Sequence, residues 1–470
     1  MSELSSTRRD TFLSFQPPAI GDEEIEAVSE TLRSGWLTTG PRTAELERRF
    51  SEYVEAKDAL AVASGTAALH LALVALGVGP GDEVITTPIT WPATANVIVH
   101  TGARPVFADV REGDLNIDPD DVARLVAPRT KAILPVHLAG QPADLDPLWA
   151  LGLPVVEDAA HAVESTYRGR KIGGLSAATC FSLYATKNVA AGEGGVITTN
   201  DDAVARAVDE LRVMRRGHGS LYDIAVPGYK ANLSDVLASI ALCQLAKIDR
   251  HREIRQRHVA AYDAGVADLD GIEPLERDPR DTHALHLYVV RIDAERAGAT
   301  RDEYQGALAD EQIGTSIHFL PVHELTAYRE LFPDQRPLPV AERAGREILS
   351  LPLSPAHSDV DIGTRSRRCG ACMPPSPERR DRRSDRLPAS PPAALRVGAR
   401  PQPPGQGGGG NHGHRALRRL HPLADRRRQD DPHPAQRELG LLPRGDRDHG
   451  ALGLADGLAL AAAPARARHP

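Results

Sequence analysis

The chain of 470 residues is 41% hydrophobic and 26% charged, a composition typical of globular proteins that excludes disorder throughout. Its net charge of −8 is unevenly divided. Residues 363–470 contain 21 Arg and no Lys against 10 acidic residues, a balance of +11, so residues 1–362 carry −19. The last 108 residues also lack any Phe, Trp or Tyr with which to build a core. The chain therefore joins two pieces of different composition.

The sequence contains no signal for a membrane or for secretion. No stretch reaches the roughly 18 apolar residues that a membrane helix needs, and the first ten residues are polar. We expect a cytoplasmic protein that binds no membrane. Cys180 and Cys243 lie among apolar residues, which favours reduced cysteines over a disulfide framework. Cys369 and Cys372 form a lone CxxC without a second pair at zinc-finger spacing, so we predict no metal site.

Helix and strand patterns alternate along the first half of the chain. The predicted elements are helices over 20–34 and 44–53, a strand over 59–63, a helix over 67–76, a strand over 83–87, a helix over 91–101, a strand over 104–109, a helix over 118–126, strands over 130–136, 153–158, 178–184 and 195–199, and a helix over 201–215. This alternation predicts an α/β fold with a mostly parallel, doubly wound sheet. Only a short crossover helix fits between residues 136 and 154.

The second half predicts a different organisation. Residues 233–257 have the longest helical pattern, and 286–292 read as a strand. We predict a large α/β domain over 1–250, a smaller α+β domain over 251–362 and a disordered tail over 363–470. The tail contains 15 Pro and 14 Gly and has no sustained periodicity.

A frameshift offers a sharper explanation of the tail. When common GC-rich codons are assigned to residues 363–374 and read from the third base, they encode Asp-Ala-Val-Ala-Ala-Leu-Arg-Arg-Val-His-Ala, an amphipathic helix. We therefore hypothesise that the reading frame changed near Ile362 and replaced the normal C-terminal helix. A basic tail that binds nucleic acid is the competing interpretation, which the absence of Lys and aromatic residues disfavours. We predict no nucleic-acid partner.

A candidate phosphate site follows the first predicted strand. Ser64, Gly65 and Thr66 stand where that strand passes into a helix. Free backbone N–H groups at a helix N-terminus, with a hydroxyl and a glycine that permits close approach, can hold a phosphate. Small residues are also common at ordinary strand-to-helix turns, so such a turn remains an alternative.

Two further segments place reactive side chains at strand ends. Asp158 ends a buried strand, at the edge where open α/β sheets bind ligands; it could pair with a protonated ring nitrogen or cap the next helix. His161 follows three residues later. Lys187 comes between an apolar strand and a glycine-rich turn, where burial can lower a lysine pKa and favour Schiff-base chemistry. Ser182 could supply another phosphate hydroxyl. Together these are the parts that a pyridoxal phosphate (PLP) site requires.

The order of these motifs resembles a known enzyme family. Ser-Gly-Thr-Ala-Ala-Leu, Pro-Val-His-Leu-Ala-Gly, Glu-Asp-Ala-Ala-His-Ala and Lys-Asn before Gly-Glu-Gly-Gly are typical of DegT/StrS-type nucleotide-sugar aminotransferases, which are PLP-dependent transferases of fold type I. Within that family the chain is most similar to the UDP-4-amino-4-deoxy-L-arabinose oxoglutarate aminotransferases, through residues 34–41, 90–91 and 229–232. The likeness covers residues 12–361.

The resemblance implies a role for each matching residue. Lys187 would form the internal aldimine and move a proton between the donor's α-carbon and C4′ of the cofactor, while Asp158 would keep the pyridinium nitrogen protonated. The other implied cofactor contacts are Gly65, Thr66, Ala67 and Ser182 at the phosphate, Trp91 on the ring face, His161 near the ring hydroxyl, and Asn232 or the adjacent Lys230 at the partner subunit's phosphate.

Some of these assignments have ordinary alternatives. Trp91 could be a core aromatic, and Asn232 could be the N-cap of the helix that follows it. His318 and His323 match the segment that closes over the sugar substrate in the family. Active sites shared between subunits would imply a homodimer.

The implied reaction is transamination of a nucleotide-linked keto-sugar, with L-glutamate as donor and 2-oxoglutarate as its product. The matching motifs favour a 4-keto sugar such as a UDP-4-keto-pentose. A sugar dehydratase is an alternative within the family, but there a histidine replaces the lysine, and Lys187 is present. A regulatory or inactive pseudoenzyme of the same fold is the other alternative.

Overall fold

The computed structural model describes residues 11–213, 224 and 226–362. The predictions for the tail therefore lie outside the described residues. They are its disorder, the proposed frameshift, and the absence of a metal site at Cys369 and Cys372. The end of the helix predicted over 201–215 lies outside them as well.

The described residues form thirteen α-helices, two 3₁₀-helices and twelve strands. The α-helices are α1 (Asp22–Ser34), α2 (Pro41–Tyr53), α3 (Gly65–Ala75), α4 (Ala93–His100), α5 (Pro119–Leu125), α6 (Leu145–Trp149), α7 (Asp202–Val213), α8 (Asp235–Ala246), α9 (Ile248–Val266), α10 (Ala294–Ala297), α11 (Arg301–Asp310), α12 (Thr326–Leu331) and α13 (Pro339–Glu347). The 3₁₀-helices are Leu138–Gly140 and Val322–Glu324.

The strands agree with the predicted alternation, apart from an additional short hairpin and two further strands that were not predicted. They are β1 (Asp58–Val62), β2 (Glu83–Thr86), β3 (Arg104–Phe107), β4 (Thr130–Leu134), β5 (Val156–Asp158), β6 (Thr166–Tyr167), β7 (Arg170–Lys171), β8 (Ala178–Ser182), β9 (Gly195–Thr199), β10 (Ile272–Pro274), β11 (Tyr288–Ile292) and β12 (Ile348–Leu351). The hairpin is β6–β7, which the sequence analysis missed, and the two further strands are β10 and β12. The short crossover before β5 is confirmed as the five-residue helix α6.

The large sheet has seven strands in the order β3-β2-β4-β5-β8-β9-β1. Regular pairing forms the groups β3-β2-β4 and β1-β9-β8-β5. Two parallel bridges, Ile133 to Val155 and Val136 to Asp158, join the groups between β4 and β5. β9 is antiparallel to both of its neighbours, and the other six strands share one direction. The prediction of a mostly parallel α/β sheet is confirmed.

Two hydrophobic layers cover the faces of this sheet. Along β1, Leu60 and Val62 pack into a layer formed with α3, α4 and α7, whereas Ala61 between them packs into the opposite layer with α2 and α8. Successive side chains of a strand point to opposite faces, so a strand buried on both faces is largely apolar, and its polar side chains need hydrogen-bond partners. This double burial explains the short, mostly apolar strands of the sequence.

A second sheet lies later in the chain. It is antiparallel, with the order β10-β11-β12. Its side chains form a core with α9 and α11, in which the Tyr262 ring stacks on Tyr288 at a centroid distance of 4.8 Å. The strand predicted over 286–292 is confirmed as β11. An isolated antiparallel bridge joins Ser350 of β12 to Ser316, two residues before His318.

The prediction of one long helix over 233–257 is wrong. The structure has two helices, α8 and α9, separated at Lys247 (φ −102°, ψ 0°), which is the C-cap of α8 and the N-cap of α9. The ammonium group of Lys247 pairs with Glu23 and Glu24 of α1. Neither Gly nor Pro stands at the break and apolar residues continue across it, so the sequence contains no signal for the end of a helix.

Side-chain caps determine where several helices begin. At α1 the carboxylate of Glu24 accepts a hydrogen bond from the N–H of Gly21 at 2.8 Å. Acidic residues in that first turn also suit the helix dipole.

Cys180 is buried and Cys243 half-buried, and neither is in a disulfide. Within the part of the chain that the structure describes, no helix combines the length and apolarity needed to span a membrane.

Candidate active site

The ends of β1 and β8 meet at the predicted phosphate site. Ser64 caps α3, with its hydroxyl accepting from the N–H of Ala67 at 3.0 Å. The N–H groups of Gly65 and Thr66 precede the first intrahelical hydrogen bond and are therefore available to a ligand. Ser182, at the end of β8, lies so close to Gly65 that a Cβ on this glycine would be 2.9 Å from the Ser182 Cβ. The backbones and the serine hydroxyl form a tight concave surface, which we call the phosphate cup (residues 64–67 and 182).

Asp158 is buried where β5 ends. Its Oδ2 accepts a hydrogen bond from the Thr94 hydroxyl at 2.7 Å, and its Oδ1 accepts from the N–H of Ala160 at 3.2 Å. Burial raises the pKa of Asp158, although both hydrogen bonds and the nearby Lys187 ammonium act in the opposite direction. A buried carboxylate of this kind gains most from a cationic partner. Asp158 is therefore suited to pair with a protonated ring nitrogen.

Lys187 is half-buried in the loop that joins β8 to β9. Its N–H donates to the carbonyl of Tyr184 at 2.8 Å, which closes a turn around the lysine. Burial lowers the pKa of its side chain to about 8, with the Asp158 carboxylate opposing this shift. At pH 7 about a tenth of a lysine with this pKa is the neutral, nucleophilic amine, far more than for an ordinary lysine of pKa ~10.4.

His161 is buried beside this pair, among other rings. Its ring stacks on His286 at 4.3 Å between centroids and on Phe319 at 6.0 Å. Burial lowers its pKa well below the usual value, and Lys187 and other nearby basic groups add to that effect. The Nδ1 atom has no hydrogen-bond partner among the described residues. His161 thus presents a neutral ring with an unpaired polar atom.

The structure rejects the ordinary alternatives for Trp91 and Asn232. Trp91 is not a core aromatic, because 64% of it is exposed and its ring contacts Phe319 at 6.2 Å. Asn232 is not the helix N-cap, because Ser234 caps α8. Instead, Asn232 forms a bridge to Val62 next to the phosphate cup.

The two histidines predicted to contact substrate lie in different surroundings. His318 is close to Lys187; burial lowers its pKa to about 4, and repulsion from the lysine adds to the shift. Its Nδ1 and the Ser350 hydroxyl are 2.9 Å apart. His323 instead faces Phe107, with 6.2 Å between ring centroids, and Glu342, with 3.5 Å between its Nε2 and a carboxylate oxygen. The structure brings only His318 into the cluster around Lys187.

Sequence reasoning missed several residues of this cluster. Thr94 was only part of a predicted helix, yet it is bound to Asp158 and to the Thr90 hydroxyl, 2.7 Å away. Asn188 and His286 are joined by a hydrogen bond. The only available signal was that Asn188 follows Lys187, since His286 is distant in sequence and comes close only through folding.

Comparison with known proteins identifies the family. The model of the DegT/DnrJ/EryC1/StrS aminotransferase family matches residues 18–364. The chain belongs to this family. It is 46% identical over 375 residues to the spore coat polysaccharide biosynthesis protein SpsC of Bacillus subtilis (strain 168), an alignment that covers 76% of this chain and 95% of SpsC. The protein is therefore a sugar aminotransferase, as the sequence motifs predicted.

Solved structures support the same family assignment and the use of PLP as cofactor. Spr1654 from Streptococcus pneumoniae in its PLP form superposes with a TM-score of 0.71 at 34% identity, covering 77% of this chain and 98% of Spr1654. DesI, solved in the presence of its TDP-sugar product, has a TM-score of 0.73 at 32% identity, covering 80% of this chain and 96% of DesI. The family uses PLP, and the fold-type I prediction is confirmed.

The residues of this chain fit the cofactor. The phosphate cup offers backbone N–H groups, a serine hydroxyl and a glycine where a Cβ would intrude. Asp158 presents a carboxylate that lacks a charged hydrogen-bond partner, and His161 presents an unpaired Nδ1. Lys187 supplies an amine of lowered pKa. When bound, PLP supplies an electron sink for carbanion chemistry.

Substituting Gly65 with alanine should weaken PLP binding by about tenfold. The new Cβ would lie 2.9 Å from the Cβ and 3.2 Å from the Oγ of Ser182. Overpacking of this size costs about 1–3 kcal/mol, which would widen the phosphate cup. Titration of cofactor-free protein with PLP measures the effect. Gly79→Ala is the control, because a Cβ there meets no atom within 4 Å; equal affinities for both variants would contradict the cup.

Proposed function

We propose that the protein transfers the amino group of L-glutamate to a nucleotide-linked 4-keto sugar, with Lys187 and Asp158 as its catalytic residues. The observation that carries this proposal is the convergence of Asp158 and Lys187 at neighbouring strand ends, beside the phosphate cup. A carboxylate for the ring nitrogen, an amine for the carbonyl carbon and an anion site for the phosphate are thereby placed around one volume.

Each residue has a defined task in this proposal. Lys187 would hold the cofactor through its neutral side-chain amine and would move a proton between substrate and cofactor in each half-reaction. Asp158 would lie at the ring nitrogen and favour its positive charge. Gly65, Thr66, Ala67 and Ser182 would hold the phosphate, and Trp91 would cover one ring face. His161 would lie near the ring hydroxyl.

The remaining residues act on substrate and partner. We assign His318 to the sugar substrate, because it lies near Lys187. His323 stays a weaker candidate for the same role, since its contacts are elsewhere. Asn232, with Lys230, would complete the partner's phosphate site in a homodimer. We also retain the division into domains over 1–250 and 251–362.

Two relatives support the substrate class. DesI was solved with a TDP-sugar product, and SpsC is named for polysaccharide biosynthesis. Both fit a nucleotide-linked sugar as amino acceptor. The similarity of residues 34–41 to the pentose enzymes makes UDP-4-keto-pentose our first choice.

A substrate panel tests this proposal. Purified protein with PLP and L-glutamate is incubated with UDP-, dTDP- and GDP-linked 4-keto sugars and, in parallel, with 3-keto sugars, and 2-oxoglutarate and the amino sugar are measured together. We expect equimolar formation of both with a UDP-4-keto-pentose. Turnover with 3-keto sugars alone would overturn the assignment of the 4-position, and absence of turnover with every sugar would overturn transamination from L-glutamate.

The rate at which cofactor-free protein forms the imine with PLP should rise with pH, with a midpoint near pH 8. Burial disfavours the charged form of Lys187 and lowers its pKa to about 8. About half of the amine is then neutral at pH 8, against less than about 1% for an ordinary lysine of pKa ~10.4. Stopped-flow absorbance of the imine band across pH, with a free lysine derivative in parallel, measures the midpoint. A midpoint equal to that of the free amine would contradict the assignment.

A further inference from the structure

A buried ion pair lies directly behind the Lys187 loop. The guanidinium of Arg255, on α9, pairs with the carboxylate of Glu164, and both side chains are at most 2% exposed. Removing either partner would leave an uncompensated buried charge, so this pair has a fixed position. The proposed reaction gives it no task.

Asn188 is held by this pair. Its Nδ2 donates to Glu164 at 2.8 Å and to the carbonyl of Ala284 at 3.2 Å, while its Oδ1 accepts from Nδ1 of His286 at 3.0 Å. Both amide protons and the amide oxygen are therefore used, which leaves the carboxamide one orientation. Asn188 is also the residue next to Lys187 in the chain.

His286 connects Asn188 to His161, because it is hydrogen-bonded to the first and stacked on the second. Because its Nδ1 donates to Asn188, His286 is held as one tautomer and one ring orientation. Its ring stacks on His161 at 4.3 Å with 29° between planes. The backbone of His286 is fixed as well, since its carbonyl accepts from Gln16 at 2.9 Å.

We propose that Asn188 is a positioning residue that fixes Lys187 and His161 relative to each other, through its hydrogen bond to His286 and its anchor on the Glu164–Arg255 pair. This inference rests on the proposed role of Lys187. The carboxamide of Asn188 restrains the backbone next to Lys187. Through the stacked ring of His286 it also restrains the ring of His161. Lys187 and His161 therefore share one support.

The arrangement matters for the step in which the lysine captures the cofactor. In that step the neutral amine would form a C=N bond to the aldehyde carbon, and the carbonyl oxygen would leave as water carrying the two protons of the amine. Misplacement of a reacting group by about 1 Å can cost about 10²-fold. Loosening Asn188 should slow this step more than it weakens binding, because the phosphate cup is untouched.

The test measures imine formation by stopped flow, with full-length protein stripped of cofactor and then mixed with PLP. Asn188→Ala removes the carboxamide. His286→Phe keeps a ring to stack on His161 but removes the Nδ1 donor. We expect each variant to form the imine about 10- to 100-fold more slowly at saturating PLP, with the PLP dissociation constant within about threefold of the wild-type value.

Coupling between the two positions separates a shared support from two independent defects. If Asn188 and His286 act as one chain, the double variant is no slower than the slower single variant; independent effects multiply. Asn200→Ala is the control, since it removes a carboxamide that accepts from Lys57 and donates to Gly174 at the far end of β9. It should leave the rate unchanged.

Several results would overturn the inference. A wild-type rate in Asn188→Ala would do so, as would multiplied losses in the double variant. If Asn188→Ala does not fold, as judged by thermal melting, His286→Phe decides alone, because it preserves the buried ion pair and the stack. If the wild-type protein forms no imine, the proposed role of Lys187 fails first, and that outcome is distinct from failure of the positioning role alone.

Discussion

Replacing Lys187 with alanine should reduce turnover by at least about 10³-fold, because general acid–base catalysis alone contributes roughly 10²–10⁴-fold and the nucleophile is lost with it. The half-buried amine, with its pKa lowered to about 8, lies beside Asp158 and is our candidate for both tasks. Steady-state assay of 2-oxoglutarate release measures turnover. The absorbance spectrum with PLP reports whether the imine band has disappeared.

Lys171 provides a matched control for that substitution. It is another partly buried lysine whose pKa burial lowers, but its ammonium lies over the Tyr53 ring at 4.1 Å, away from the phosphate cup. Lys171→Ala should retain turnover within about twofold, a change of less than ~0.5 kcal/mol in the barrier. Retained turnover in Lys187→Ala would refute the proposed mechanism, whatever the control shows.

Asp158→Asn should reduce turnover by roughly 10²–10³-fold while the protein still binds PLP. An opposite charge at 4–6 Å shifts a pKa by about 1–3 units, and each unit corresponds to about 1.4 kcal/mol. The amide keeps the volume of the buried site but removes the charge that favours a protonated ring nitrogen. Single-turnover rates with L-glutamate isolate the step from product release.

Thr94→Val separates the charge of Asp158 from its orientation. It deletes the 2.7 Å hydrogen bond to Oδ2 and leaves the carboxylate in place. A hydrogen bond to a charged group is worth about 1.5–3 kcal/mol, or about 10- to 150-fold. Because the carboxylate keeps its charge and its second hydrogen bond, we expect a loss near the lower end, about tenfold, smaller than that of Asp158→Asn. Equal losses in the two variants would show that orientation, and not charge, accounts for the role of Asp158.

The strand ends could be predicted from the sequence because their signals are local. Asp158 and Lys187 each follow an apolar strand, and parallel strands deliver their carboxyl ends to one edge of the sheet. The exposed position of Trp91 could not be predicted, since it depends on which surfaces other elements cover. The cap at Ser234 was missed although it is a local hydrogen bond to the N–H of Leu237, of a kind that serine favours.

Contacts between residues far apart in the sequence could not be predicted, for a different reason. His286 meets Asn188 across 98 residues, and Arg255 meets Glu164 across 91. A buried histidine or arginine has no periodicity that names its partner. The break at Lys247 was missed because tertiary packing against α1, and not a breaker residue, ends α8.

The direction of β9 determines how the lysine is tethered. A parallel strand beside β8 would require a long crossover from the opposite edge of the sheet. Because β9 is antiparallel, the chain returns at the edge where it left, and Ser182 and Gly195 face each other across the ladder. Residues 183–194 thus form a closed loop, cross-linked inside by bonds such as Leu183 to Gly194 at 2.9 Å. The volume that the amine can explore is small, so its effective concentration at the cofactor is high without a moving lid.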